Sequence, residues 1–184
     1  MIELIDISLS FEQKQVLNHI CVVWPDSGTI VLRGDSGVGK TTLLRVLAGL
    51  IKPNFGYISG LTDRKIGMVF QEDRLLPWCS IEKNISLVSD RQEAQRLLKA
   101  FGLYGERDCK PASLSGGMRR RVAIARALAF SDDVILLDEP FNGLDYETKK
   151  SVASVILSKT KLRILATHSD EDAELLNMIQ CFEL

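Results

Sequence analysis

The sequence predicts a layered α/β fold with a mainly parallel sheet and one mostly helical stretch inserted into it. Three observations carry that prediction. Strand-like segments repeatedly give way to helical ones, and strands such as Val134 to Leu137 are apolar without alternation. The strand pattern then lapses between about residues 73 and 120. Strands covered on both faces in a parallel sheet read as such continuous apolar runs. At 184 residues the chain suits one domain. A domain of this size buries roughly 70% of its unfolded surface.

The elements follow in order. Ile2 to Leu9 alternates, Ile20 to Trp24 is apolar and β-branched, and Thr29 to Leu32 follows a Ser-Gly turn, so each reads as a strand. Residues 39–50 read as a helix bearing Leu43, Leu44, Val46, Leu47 and Leu50, ended near Pro53. Tyr57 to Ser59 and Lys65 to Phe70 are short strands. Asp90 opens a helix with Ala94, Leu97, Leu98 and Phe101 on one face, and Gly102 stands where a C-terminal glycine cap belongs. A second helix begins after Ser115 and runs to about Phe130. Val134 to Leu137 and Leu162 to Ala166 are strands on either side of a helix that Asp145 caps and that carries Val152, Val155 and Ile156. Ser169 caps a further helix, and Met178 to Phe182 is a last strand.

Composition narrows the function. The net charge is -1, from 23 basic and 24 acidic residues, which gives no basic face for nucleic acid and no acidic tail. Apolar residues make up 46%, which points to a doubly covered sheet or to a surface that another chain covers. No apolar stretch approaches the roughly 18 residues of a membrane span. The opening MIELIDISLS lacks a basic region and a long apolar run, so no signal peptide is expected. Cysteines 21, 79, 109 and 181 match no zinc or CxxC spacing and read as reduced cytosolic thiols. His19 reads as structural or solvent-facing.

Two motifs carry chemistry. Gly34-Asp-Ser-Gly-Val-Gly-Lys40-Thr41 fits GxxxxGK[ST], after a strand and at the start of a helix. Its glycines let backbone N–H groups turn toward phosphate oxygens, and the helix N-terminus adds positive potential. Lys40 can reach the β- and γ-phosphates, and Thr41 offers a hydroxyl to Mg²⁺. The second motif is an apolar strand that ends in Asp138-Glu139-Pro140. Two carboxylates at the end of a core strand destabilise it unless a metal or a wet site receives them. Neighbours on a strand point in opposite directions, so their roles differ. Asp138 can hold the Mg²⁺ shell while Glu139 orients or deprotonates the attacking water.

Between these motifs stands Leu114-Ser-Gly-Gly-Met118, followed by Arg-Arg-Arg-Val-Ala-Ile-Ala-Arg-Ala-Leu. This resembles the signature motif of the ATP-binding cassette (ABC) ATPases. Gln71 in Val-Phe-Gln-Glu resembles their Q-loop, Asn142-Gly-Leu-Asp145 their D-loop, and His168 in Ala-Thr-His-Ser their switch histidine. Phe11 stands where the family places an aromatic on adenine. The resemblance spans essentially the whole chain. It implies a P-loop, RecA-like parallel-sheet core with an antiparallel β edge and an inserted helical subdomain. The expected division is residues 1–72 and 121–184 for the core and 73–120 for the subdomain.

The same resemblance implies an ATPase whose catalytic residues are Glu139, His168 and Gln71. ATP is expected on Phe11, Gly34, Asp35, Ser36, Gly37, Val38, Gly39, Lys40, Thr41 and Thr42 of one chain. Ser115, Gly116 and Gly117 of an opposite chain would complete the site, and Thr41, Gln71 and Asp138 would hold Mg²⁺. Two cassettes, as a homodimer or a heterodimer, would close on ATP with two shared sites. Ser115 before a helix supports this, because a helix start with small residues is an anion site.

The branch is legible too. Gln71 and Ser115 lie 44 residues apart, which leaves no room for the long coiled coil of chromosome-maintenance relatives. Phe70-Gln-Glu-Asp-Arg-Leu-Leu-Pro-Trp78 resembles importers of the nitrate, sulfonate and taurine type, and Pro111 and Met118 fit importers as well. That implies the energy subunit of a small-solute importer, peripheral on the cytoplasmic membrane face. A permease helix would dock near Leu75 to Trp78, and nucleic acid is not an expected partner. The competing readings are an exporter ATPase subunit, a soluble ABC ATPase acting on nucleic acid or protein, and a P-loop kinase or GTPase, which the signature motif opposes.

Departures are visible. Phe11 replaces the commoner tyrosine, and Arg120 stands where the family usually has glutamine. Arg119 to Arg121 read as a solvated basic face. The chain runs only 16 residues past His168, so a thin final layer and no regulatory domain are expected.

Overall fold

A computed structural model describes residues 1–12 and 14–184. β1 (Ile2–Phe11), β2 (Lys14–Trp24) and β4 (Phe55–Ser59) form an antiparallel sheet in the order β2-β1-β4. β3 (Gly28–Arg33), β5 (Ile66–Val69), β6 (Val134–Asp138), β7 (Leu162–Ala166) and β8 (Met178–Glu183) form the second sheet. Its order is β5-β6-β7-β3-β8, and all four of its pairings are parallel. The helices are α1 (Lys40–Leu47), α2 (Ile81–Ser86), α3 (Arg91–Ala100), α4 (Gly116–Phe130), α5 (Tyr146–Lys159) and α6 (Asp170–Leu175).

The period of two in β6 divides the core. Val134 and Leu136 pack with α1 residues Leu43 and Leu44 and with the antiparallel sheet through Ile2, Leu4 and Trp24. Ile135 and Leu137 pack on the opposite face with Val122 and Leu128 of α4 and Val152 and Ile156 of α5. This is the doubly covered sheet that the continuous apolar strands predict. It accounts for much of the apolar content.

Side-chain caps start α2 to α6. Ser80, Asp90, Ser115, Asp145 and Ser169 each accept a hydrogen bond from the amide three residues on. α1 starts differently, at Gly39, with no side-chain cap and a φ of 123°. A Cβ there would lie 2.9 Å from the Val16 carbonyl oxygen, so only glycine admits this loop against β2.

The structure departs from the sequence reading at β2, at α2 and at the basic run. β2 begins at Lys14 rather than near Ile20, because its polar first half pairs with the far end of β1. α2 has no predicted counterpart; it is one short turn and a half, started by Ser80. The basic run is not a solvated face. Arg120 is buried at 4% exposure, Arg119 donates to the Leu114 carbonyl at 2.7 Å, and Arg121 to the Phe101 carbonyl at 2.8 Å. The expected boundary at residue 120/121 falls inside the unbroken helix α4. Among the described residues, no helix is long and apolar enough to cross a membrane.

Candidate active site

In a parallel sheet, ligand crevices lie beyond the carboxyl ends of the strands. Four such ends meet here. The loop after β3, the residues after β5, the end of β6 and the residues after β7 bring Lys40, Thr41, Gln71, Asp138, Glu139 and His168 around one cleft of about 260 Å³. Gly34, Ser36, Gly37, Gly39 and Thr42 line it as well. Within the loop, Lys40 Nζ donates to the carbonyls of Gly34 at 2.6 Å and Asp35 at 2.9 Å. These two bonds hold the ammonium against the glycine-rich loop that lines the cleft.

Strand parity positions the acids. Asp138 shares the α1 face of β6 with Val134 and Leu136, and its carboxylate accepts from the Thr41 hydroxyl at 3.1 Å. It is 3% exposed, and burial raises its pKa above the ordinary carboxyl value, while the Thr41 hydrogen bond opposes that rise. A buried, desolvated carboxylate beside a hydroxyl is a pair of hard oxygen donors, which fits Mg²⁺.

Glu139 lies one residue beyond the strand with a φ of 47°. A non-glycine residue held in the left-handed region costs about 1–3 kcal/mol, and such strain gathers at functional sites. Its amide continues the ladder to the Ala166 carbonyl at 3.0 Å. Its carboxylate receives Thr167 Oγ1 at 3.3 Å and faces His168 Nδ1 at 2.9 Å. The arrangement presents an acceptor that is oriented on both oxygens and can take a proton from water.

Other expected residues lie elsewhere. Asp35 and Val38 belong to the loop but do not line the cleft. Phe11 is half-exposed at the end of β1, where it pairs with Lys14. Ser115, Gly116 and Gly117 do not line this cleft; they open α4, with Ser115 and Gly116 exposed. Gly117 has a local role: a Cβ there would come within 3.2 Å of Leu144 and 3.6 Å of the Gly143 carbonyl, so this helix start packs tightly on the 142–145 turn.

Two residues escaped the sequence reading. Thr167 is buried and bonds both Glu139 and, at 3.4 Å, Asp172. Its signal was the hydroxyl beside His168 in Ala-Thr-His-Ser. Arg120 is noted in the sequence as a departure, but its contacts with the backbone of residues 70–71 and 138–140 have no local pattern.

Residues 17–142 match the family model described as ABC transporter. The chain is 38% identical to an aliphatic sulfonates import ATP-binding protein of Rhodococcus jostii over 186 residues, covering 96% of this chain and 76% of that protein. It is 40% identical to a taurine import ATP-binding protein of Rhizobium johnstonii, covering 85% of this chain and 67% of the other. Among solved structures, the dimeric post-hydrolysis state of the ATP-binding cassette MJ0796 bound to ADP and Pi is similar with a TM-score of 0.83 and 27% identity, over 98% of this chain and 94% of that one.

Proposed function

The chain belongs to the ABC transporter family of ATP-binding cassettes, and from that premise we propose that it binds ATP on the 34–42 loop and hydrolyses it as the energy subunit of a small-solute importer. The observation that carries this is the convergence of Lys40, Thr41, Gln71, Asp138, Glu139 and His168 on one cleft.

Each residue has a part. The loop amides and Lys40 bind the β- and γ-phosphates. Thr41 and Asp138, with Gln71 beside them, would hold Mg²⁺, which supplies neutralisation of phosphate charge when bound. Glu139 orients the water and takes its proton; His168 and Thr167 fix its carboxylate, and His168 would sense the γ-phosphate. Phe11 supplies a π-face for adenine. Ser115, Gly116 and Gly117 lie outside the cleft at an exposed helix start, which suits an anion brought by a second cassette. ATP would then join two chains across two shared sites.

Import is favoured by the relatives that handle sulfonates and taurine, so an organic or inorganic anion is the favoured cargo class. The chain would sit at the cytoplasmic membrane face through a permease that docks at Leu75 to Trp78. The test is Glu139→Gln. ATP binding should persist, turnover should fall about 10²- to 10⁴-fold, and an ATP-dependent dimer should accumulate in size-exclusion chromatography. Unchanged turnover sinks the assignment.

A further inference from the structure

Arg120 lies in α4 and reaches two separate segments. On one side Nη1 donates to the carbonyls of Phe70 at 2.5 Å and Gln71 at 3.3 Å. On the other, Nη2 donates to the carbonyls of Asp138 at 2.9 Å and Glu139 at 2.7 Å, and Nε to that of Pro140 at 2.9 Å. A guanidinium has five N–H donors in one rigid plane, and five carbonyls receive them here. The Asp73 carboxylate stands 3.6 Å from Nη1 and balances the charge.

We propose that Arg120 is a positioning residue that ties the peptide of Glu139 to the 70–71 turn, so that the Glu139 carboxylate is aimed only while that turn is in place. The proposal rests on the reading of Glu139 as the base. Glu139 has a left-handed backbone that must be held by its surroundings. Its amide is held by Ala166, its carbonyl by Arg120, and the carbonyls before and after it by Arg120 as well. Release of those three carbonyls lets the peptide relax and swings the carboxylate away from Thr167 and His168.

The other end of the tie is the segment that leads to Trp78. Arg126, further along α4, donates to the carbonyls of Arg74 at 2.9 Å and Asp73 at 3.3 Å, so the same helix holds residues 70, 71, 73 and 74. A partner that displaces this segment moves Phe70 and Gln71. A planar fork cannot follow one segment without straining its bonds to the other. A glutamine at this position has two N–H donors and cannot serve both sets of carbonyls. The arginine therefore makes the link between docking segment and base stiffer than a glutamine would.

The test uses the purified full chain with Arg120→Gln and Arg120→Lys, read by steady-state ATPase kinetics, equilibrium ATP binding and thermal unfolding. Misaiming a base by a fraction of an ångström to one ångström costs up to about a hundredfold. The expected result is a kcat lowered about ten- to a hundredfold, with KM for ATP and ATP binding held within about twofold because the phosphate loop is untouched. Lysine keeps the charge but not the fork, so it should not restore kcat. A merely structural arginine would lower the melting temperature and leave kcat per folded molecule unchanged, and that result in either variant overturns the proposal. If Arg120→Gln does not fold, Asp73→Asn decides: it loosens the same guanidinium and should lower kcat several-fold at constant KM, and a wild-type kcat overturns the proposal. Glu139→Gln is measured alongside. Turnover that survives in that variant defeats the reading of Glu139 itself, whereas a dead Glu139→Gln beside fully active Arg120 variants defeats the positioning role alone.

Discussion

At the start of α4, Ser115 accepts a hydrogen bond from the Met118 amide at 3.2 Å while its own side chain stays exposed. If Ser115 also meets the phosphate of a second cassette as proposed, capping and phosphate recognition fall on one hydroxyl, and a single substitution separates them. Aspartate caps a helix as well as serine does, and its charge suits the helix dipole. Ser115→Asp should therefore unfold within about 1 kcal/mol of wild type in urea. The same carboxylate would repel a nucleotide phosphate brought by a second chain. ATP-dependent dimerisation, read by light scattering on a Glu139→Gln background, should be lost. A dimer of undiminished affinity in the Asp variant would remove Ser115 from the nucleotide site.

Between elements, α3 is pinned to α5 by charge. Glu93 binds Arg96 within its own helix, with contacts at 2.6 and 2.9 Å, and reaches across to Lys159 at the end of α5. The Arg96 hydrogen bonds, with Lys159 adding to them against the cost of burial, draw the Glu93 pKa down to about 2. A depressed carboxyl pKa stabilises the fold above the unfolded value of 4.5, and the benefit fades as pH falls from there toward 2. Glu93→Gln should cost about 1–2 kcal/mol at pH 7, less than full linkage because Arg96 is largely exposed and salt screens the pair. Urea unfolding at pH 7 and pH 3.5 should show the gap between variant and wild type narrowing; a constant gap would mean that the ion pair is not its source. This pairing was not legible in the sequence, since residues 93 and 159 meet only through the fold. The same limit applies to Arg120. Local signals located what local physics decides: Ser115, Asp145 and Ser169 as caps, Gly102 at a φ of 66°, and the continuous apolar β6. The phosphate loop and the carboxylates were legible for the same reason, since each motif is contiguous. β2 was cut short and α2 overlooked because long-range pairing and a one-turn cap decide them. The basic run misled because three arginines in sequence carry no mark of the carbonyls that a distant strand end and turn will offer.

At the scale of the whole molecule, the segment after β5 is fixed at both ends and bare in the middle. Arg120 and Arg126 hold residues 70–74. The buried Asn84 of α2 accepts from the Leu76 amide at 2.8 Å and donates to the Leu76 and Cys79 carbonyls at 3.1 and 3.3 Å. Leu75 packs on the main core, so of the apolar cluster that the sequence marks, this residue is committed inward. Trp78 is not: it is 69% exposed on a loop held on both sides. A large aromatic on a pre-ordered loop loses little entropy on binding and is the residue type that dominates interface energetics. Trp78→Ala should therefore unfold as wild type does, within about 0.5 kcal/mol, as exposed positions do. It should retain ATP binding and basal hydrolysis, since the cleft lies elsewhere. Co-purification with the proposed permease partner should weaken by at least about 2 kcal/mol, close to thirtyfold in dissociation constant. Assembly of undiminished affinity would place the docking surface away from this loop. Loss of ATP binding together with assembly would mean that Trp78 acts on the cleft rather than on a partner.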